Sequence, residues 1–188
     1  MDATQIREKD LTAKELLALT RESVKAAREL EVATKDFRAR VIVNDRLDVA
    51  LASGADGVHL GGDSEPARDV TGWRRRGKAP AGFLIGASCH GLNELVAAEQ
   101  AGVDYIYFGP VFDTPSKRAF GAPQGIARLA EICGKAKAPV IAIGGVNAEN
   151  AEECIRAGAA GIAAIRMFQE ATDLDALRSV VERLHQLK

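Results

Sequence analysis

The stretch VIAIGG, Val140 to Gly145, decides the fold. Four apolar residues run without alternation into a pair of glycines. A strand with one wet face alternates apolar and polar residues; a short continuous apolar run suits a parallel strand covered on both faces. The same kind of text recurs outward: VIV inside Arg40–Asn44, FLIGAS over Phe83–Ser88, YIYFGPVF over Tyr105–Phe112 and GIAAIRM over Gly161–Met167. Ala3–Arg7 and Gly57–Leu60 complete the expected strands.

Amphipathic stretches separate these runs. Thr12-Ala13-Lys14-Glu15 is a capping box that opens a helix, and Leu16, Leu17, Thr20, Val24 and Ala27 then share a face. Leu92, Leu95 and Val96 mark a second helix; Ile126, Leu129 and Ile132 a third; Leu174, Leu177, Val181 and Leu184 a fourth. Strands alternating with helices predict βαβ units and a parallel sheet. A weak repeat agrees. SGADGV (53–58), AGVDYI (101–106) and AGAAGI (157–162) each place a glycine where a helix ends in a left-handed residue and a strand begins. Repetition of whole βα units suits a barrel, α/β of TIM (β/α)8 type, without excluding a doubly wound sheet.

The chain has 188 residues, 47% of them hydrophobic, with a formal net charge of −1. That fits one globular domain. It gives no support for general nucleic-acid binding, which needs a basic surface. No apolar run reaches the ~20 residues of a membrane helix, and the charged N-terminus is unlike a signal peptide. Cys89, Cys133 and Cys154 suit a reducing, cytoplasmic setting better than a disulfide scaffold. The basic run within Thr71–Ala81 reads as a solvated helix end rather than an anion site.

In parallel α/β folds the chemistry gathers at the C-terminal ends of strands. Gln5, Arg7 and Lys9, spaced i, i+2 and i+4, share one face of an extended strand and suit a polyanion. Asn44-Asp45 closes the next strand, Asp45 being a metal or substrate ligand or a helix cap. Asp63 and Glu65, after Gly61-Gly62, help hold a hard cation or cap a turn. His59 reads as a core histidine. Cys89 and His90 point to opposite faces, which argues against a dyad, and Ser88 is the better substrate contact. Asp113 to Gly125 forms a long loop carrying Thr114, Ser116, Lys117 and Arg118, as substrate-closing loops do. Gly144-Gly145 and Ile165-Arg166-Met167 end the last two strands and suggest a phosphate pocket.

QIREK (5–9), VIVNDR (41–46), GADGVHLG (54–61), GASCH (86–90), DYIYFGPVFDTPSK (104–117) and VIAIGGVNAENA (140–151) together resemble the thiamine phosphate synthase family, in that family's order and over nearly the whole chain. The resemblance implies a Mg²⁺-dependent transferase that joins a hydroxymethylpyrimidine diphosphate to a thiazole phosphate with loss of pyrophosphate. By matching position, Gln5 would contact the pyrimidine, Arg7 and Lys9 the diphosphate, and Asn44 the same substrate, with Asp45 the metal ligand. Ser88 would touch the diphosphate, Thr114 and Ser116 the thiazole side, Lys117 the departing pyrophosphate and Gly145 the thiazole phosphate. The partners are then small molecules, with no nucleic acid or membrane, and a homo-oligomer stays open.

The pattern departs from the family in three places. Gly62 stands where glutamine is usual. Ser64 aligns with a second acidic metal ligand, and Asp63 and Glu65 flank it, Asp63 being the candidate for that role. Arg166 replaces a small polar residue, either adding a charged phosphate contact or blocking the pocket. Two other readings compete: a TenI-like thiazole tautomerase, which would carry His where this chain has Pro110, and a non-catalytic thiamine-precursor binding protein. Barrels of this kind typically take ~250 residues, and Met1 lies almost on the Gln5 strand. The expectation is a barrel lacking its first βα unit, through a truncated gene start or with a partner covering the gap.

Overall fold

The computed structural model describes residues 2–34, 38–114 and 122–187. Strands and helices alternate: β1 (Ala3–Ile6), α1 (Ala13–Thr34), β2 (Arg40–Asn44), α2 (Leu47–Ser53), β3 (Gly57–Leu60), α3 (Ala67–Trp73), β4 (Leu84–Cys89), α4 (Leu92–Ala101), β5 (Tyr105–Phe108), α5 (Gly125–Lys135), β6 (Val140–Ile143), α6 (Ala151–Arg156), β7 (Gly161–Ala163), α7 (Arg166–Gln169) and α8 (Leu174–Gln186). The chain forms two compact units, Met1–Ala87 with Ala101–Val103, and Ser88–Gln100 with Asp104–Lys188.

In the first unit β1, β2, β3 and β4 pair in parallel, with Gln5 opposite Ile42 and Asn44 opposite His59. Val41, Ile42, Val43, Val58 and Ile85 are buried, so the central strands are covered on both faces, as continuous apolar runs require. The capping box closes as expected: Glu15 N–H donates to Thr12 Oγ1 at 3.3 Å, and Thr12 N–H donates to Glu15 Oε2 at 2.9 Å. Leu16, Thr20 and Ala27 form the buried stripe of α1. Asp56 fastens this helix to the sheet. Its carboxylate accepts from Arg28 Nη2 at 2.7 Å, Arg38 Nη2 at 2.9 Å and Val41 N–H at 2.8 Å. Burial by itself would raise the Asp56 pKa, but the Val41 N–H and the two guanidinium groups together hold it below the ordinary value.

The basic run ends a helix, as expected: α3 passes into a wider turn over Arg74–Lys78. Arg74 donates to the carbonyls of Phe83 and Gly102, and Arg75 to that of Ala101. The Ala101 and Gly102 carbonyls are left over where α4 ends, and the Phe83 carbonyl belongs to the turn before β4.

In the second unit β5, β6 and β7 pair in parallel, over a core that includes Ile106, Phe108, Leu129, Ile132 and Ala142. The expected strand over Tyr105–Phe112 stops at Phe108, before Gly109 and the cis peptide to Pro110. Val111 N–H and Phe112 N–H then donate to the carbonyls of Ile143 and Gly144, each at 2.9 Å. The last strand is also shorter than expected, so Arg166 and Met167 open α7 instead of ending β7. Val96, 49% exposed, and Leu174, 69% exposed, lie off the faces assigned to them. Gly54, Gly102 and Gly158 all have positive φ, as the repeat predicted.

Candidate active site

A chain of side-chain hydrogen bonds crosses the C-terminal ends of β1, β2 and β3 in the first unit. Gln5 Nε2–H donates to Asn44 Oδ1 at 2.7 Å, and Asn44 Nδ2–H donates to Asp45 Oδ2 at 2.6 Å. Gly61 N–H donates to Asp45 Oδ1 at 3.2 Å and to Ser64 Oγ at 2.6 Å, while the Ser64 hydroxyl donates to Asp45 Oδ1. Asp45 has a φ of 60°, a left-handed conformation rare outside glycine. Its own N–H is tied to the His59 carbonyl at 2.8 Å. The backbone therefore turns sharply just where the carboxylate must face the strand ends.

Glu8, Lys9, Leu11, Leu16, Asn44, Asp45 and Arg46 line a cavity of about 280 Å³ beside this network. Lys9 therefore joins Asn44 and Asp45, but not through strand alternation: β1 ends at Ile6, and Arg7 and Lys9 lie beyond it, both exposed. Asp63 is exposed, and the residue at Asp45 Oδ1 is Ser64. Arg46, not singled out from sequence, makes a two-point contact with Asp48 at 2.9 and 2.7 Å. His59 is a core residue as expected, its pKa pushed down to about 4 by burial against a partial opposing pull from Asp45.

The second unit holds a cleft of about 440 Å³, with Gly145, Val146, Asn147, Arg166, Glu170 and Asp173 among its lining residues. Gly145 and Arg166, both expected near a phosphate, are thus brought together. The Gly144-Gly145 turn needs glycine at both positions. Their φ values are 91° and 69°, and a Cβ would lie 2.5 Å from Pro110 Cα at the first and 2.6 Å from the Asp113 carbonyl oxygen at the second. Thr114 is buried and Ser88 half-buried. Ser116 and Lys117 lie outside the described residues. Cys89 is buried, and burial first, with Glu94 and Glu99 adding to it, pushes its thiol up to about 12. His90 instead donates Nδ1–H to the Gly109 carbonyl at 2.5 Å. The pair is not a nucleophilic dyad.

The chain matches known proteins over most of its length. The family model for thiamine monophosphate synthase matches residues 1–168. The chain belongs to that family. A Methanoculleus marisnigri thiamine-phosphate synthase is 41% identical over 184 residues, 97% of this chain and 82% of the relative. A Geobacter sulfurreducens protein provisionally named thiamine-phosphate synthase is 48% identical over 164 residues, 86% of this chain and 70% of its own length. A solved thiamine phosphate pyrophosphorylase from Pyrococcus furiosus superposes with a TM-score of 0.81 at 34% identity, covering 97% of this chain and 84% of that one. The fold is accordingly α/β of the TIM-barrel type, and a thiamine monophosphate synthase family member with these relatives is a transferase.

Within this family frame two functional candidates were legible only in part. Ser64 was visible as a departure, but its hydrogen bond to Asp45 was not. The signal lay in the turn: Ser64 N–H donates to the Gly61 carbonyl at 3.3 Å, which folds residue 64 back over residue 61. Arg46 was hidden because its neighbours Asn44 and Asp45 carry the more suggestive chemistry.

Proposed function

We propose that the chain couples a hydroxymethylpyrimidine diphosphate with a thiazole phosphate to give thiamine phosphate and pyrophosphate. The carrying observation is the hydrogen-bonded run from Gln5 through Asn44 to Asp45 beside a cavity that also presents Lys9. Gln5 spends one Nε2–H on Asn44. It keeps Oε1 and its second N–H for a polar heteroaromatic ring. Arg7 and Lys9 supply positive charge for the diphosphate, with Ser88 as a further polar contact. Lys117 takes up charge on the departing pyrophosphate, and Thr114 and Ser116 face the thiazole. Gly145 and Arg166 bind the thiazole phosphate.

The residues fit a magnesium ion. Asp45 Oδ2 accepts one side-chain hydrogen bond, and a carboxylate oxygen has a second lone-pair direction. Mg²⁺ is characteristically held by one or two carboxylates together with substrate phosphates and water. Asp45 would hold it, with Glu8 lining the same cavity and Asp63 available from the exposed turn. Bound there, the ion would neutralise the diphosphate as a leaving group. The C–O bond between pyrimidine methylene and diphosphate breaks, its electron pair leaving with pyrophosphate. The thiazole nitrogen donates its lone pair to form the C–N bond. The chain's contribution is to hold the two reactants and to stabilise the departing anion.

Pro110 has no titratable side chain, which counts against the tautomerase reading. The test mixes both phosphorylated substrates with Mg²⁺ and follows thiamine phosphate and pyrophosphate. Formation of both supports coupling. Tight binding of either substrate to folded protein with no product supports a binding protein. Interconversion of thiazole tautomers without coupling supports the tautomerase.

A further inference from the structure

One side chain clamps the loop after β6. Asn150 Nδ2–H donates to the Gly145 carbonyl at 3.0 Å, and Asn150 Oδ1 accepts from Asn147 N–H at 2.8 Å. The preceding carbonyl, Gly144, is held by Phe112 N–H at 2.9 Å. Two successive peptide groups are therefore fixed by their oxygens. In a trans peptide the N–H points opposite to the C=O. Pinning the carbonyls of Gly144 and Gly145 thus aims the N–H groups of Gly145 and Val146 the other way. Among the described residues neither N–H has a hydrogen-bond acceptor, and both residues line the cleft that Arg166 shares. Adjacent N–H groups aimed together form an anion-binding concavity.

We infer that Asn150 is a positioning residue: by holding the Gly145 carbonyl it presets the two N–H groups that receive the phosphate of the thiazole substrate. This rests on the proposed coupling reaction for the identity of the ligand, but the geometry concerns any phosphate monoester entering the cleft. The side chain acts through the backbone. It sits on the far side of the peptide it orients, so substrate need never touch it.

Asn150→Asp is the sharp test. The carboxylate retains an acceptor for Asn147 N–H, so the turn keeps that bond, but it offers no donor to the Gly145 carbonyl. The expected result is a KM for the thiazole phosphate raised about tenfold, the scale of one lost hydrogen bond, with kcat and the KM for the pyrimidine diphosphate unchanged. Calorimetric titration of the same protein with the thiazole phosphate alone, and with inorganic phosphate, should show a matching loss. Asn150→Ser serves as a second variant if the aspartate destabilises the fold. An equal rise in both KM values, or unchanged thiazole phosphate binding in a folded variant, overturns the inference. Absence of coupling in the unsubstituted chain, with phosphate binding still weakened by Asn150→Asp, would overturn the reaction and leave the positioning role standing.

Discussion

The Ser64 hydroxyl donates a hydrogen bond to Oδ1 of Asp45. A neutral group therefore faces the Asp45 carboxylate at this point. Replacing Ser64 by Asp should set like charges within hydrogen-bond range, at a cost on the order of 1 kcal/mol, or ~3 °C in melting temperature for a chain of this size. The loss should appear in chelator and be reversed by Mg²⁺, with a larger Mg²⁺-induced rise than in the unsubstituted chain. Thermal melts with and without Mg²⁺ measure both. A Ser64→Asp protein indifferent to Mg²⁺ removes this corner from the cation site.

Position 45 separates charge from backbone. Asn tolerates a φ of 60° nearly as well as Asp does, whereas Ala does not. Asp45→Asn should leave stability within about 1 kcal/mol while lowering kcat/KM for coupling by roughly 100-fold, the scale of removing a principal electrostatic contact. Asp45→Ala should lose a further ~1–2 kcal/mol of stability through strain, added to the loss of the hydrogen bonds that Asn44, Gly61 N–H and Ser64 give the carboxylate. Denaturant titrations beside steady-state kinetics distinguish the two effects; equal stability of the two variants would remove the strain argument.

Gly145→Ala meets two obstacles at once, a φ of 69° and a carbonyl oxygen 2.6 Å from the new Cβ. The expected destabilisation is at least ~1–3 kcal/mol. The KM for the thiazole phosphate should rise while that for the pyrimidine diphosphate stays near its starting value. Urea unfolding and paired substrate titrations check both halves.

Asp56 sets an acid limit on stability. Its folded-state pKa lies below the ordinary value of 3.8. The unfolded chain therefore binds a proton first as pH falls, and stability drops with it. The contribution is complete above about pH 4–5 and is lost as the pH falls through the lowered pKa. Asp56→Asn should cost about 2–3 kcal/mol at pH 7, since buried hydrogen bonds to charged groups are among the stronger ones. The difference between variant and unsubstituted chain should narrow on acidification toward pH 3. A gap independent of pH would show that the ion pairs with Arg28 and Arg38 carry none of it.

Most of the strand order was legible because fully covered strands announce themselves as unbroken apolar runs, and because α1 writes both halves of its cap in the sequence. The errors cluster where local text is ambiguous. YIYFGPVF reads as one strand, yet Gly109 and Pro110 interrupt it while Val111 and Phe112 go on pairing with the next strand's end. Arg7 and Lys9 were placed by strand alternation although β1 stops at Ile6. Asp45 was found from its charge and its position at a strand end. Its tie to Ser64 depends on a turn that sequence spacing does not single out, and Asp63 and Glu65 beside it are the more obvious acidic groups.

The left-handed glycines that close three helices are alike in backbone but not in neighbours. A side chain at residue 54 would enter open space, at 102 it would come within 3.3 Å of Arg75 Nη1, and at 158 within 3.1 Å of Cys133 Cβ. Asparagine, which tolerates this conformation, can therefore enter at 54 for a small conformational cost, and at 102 if the arginine swings aside. At 158 it would press on a half-buried cysteine anchored in α5. Over the history of such a chain the first of these turns is free to drift, and the last should be the slowest to change its letter.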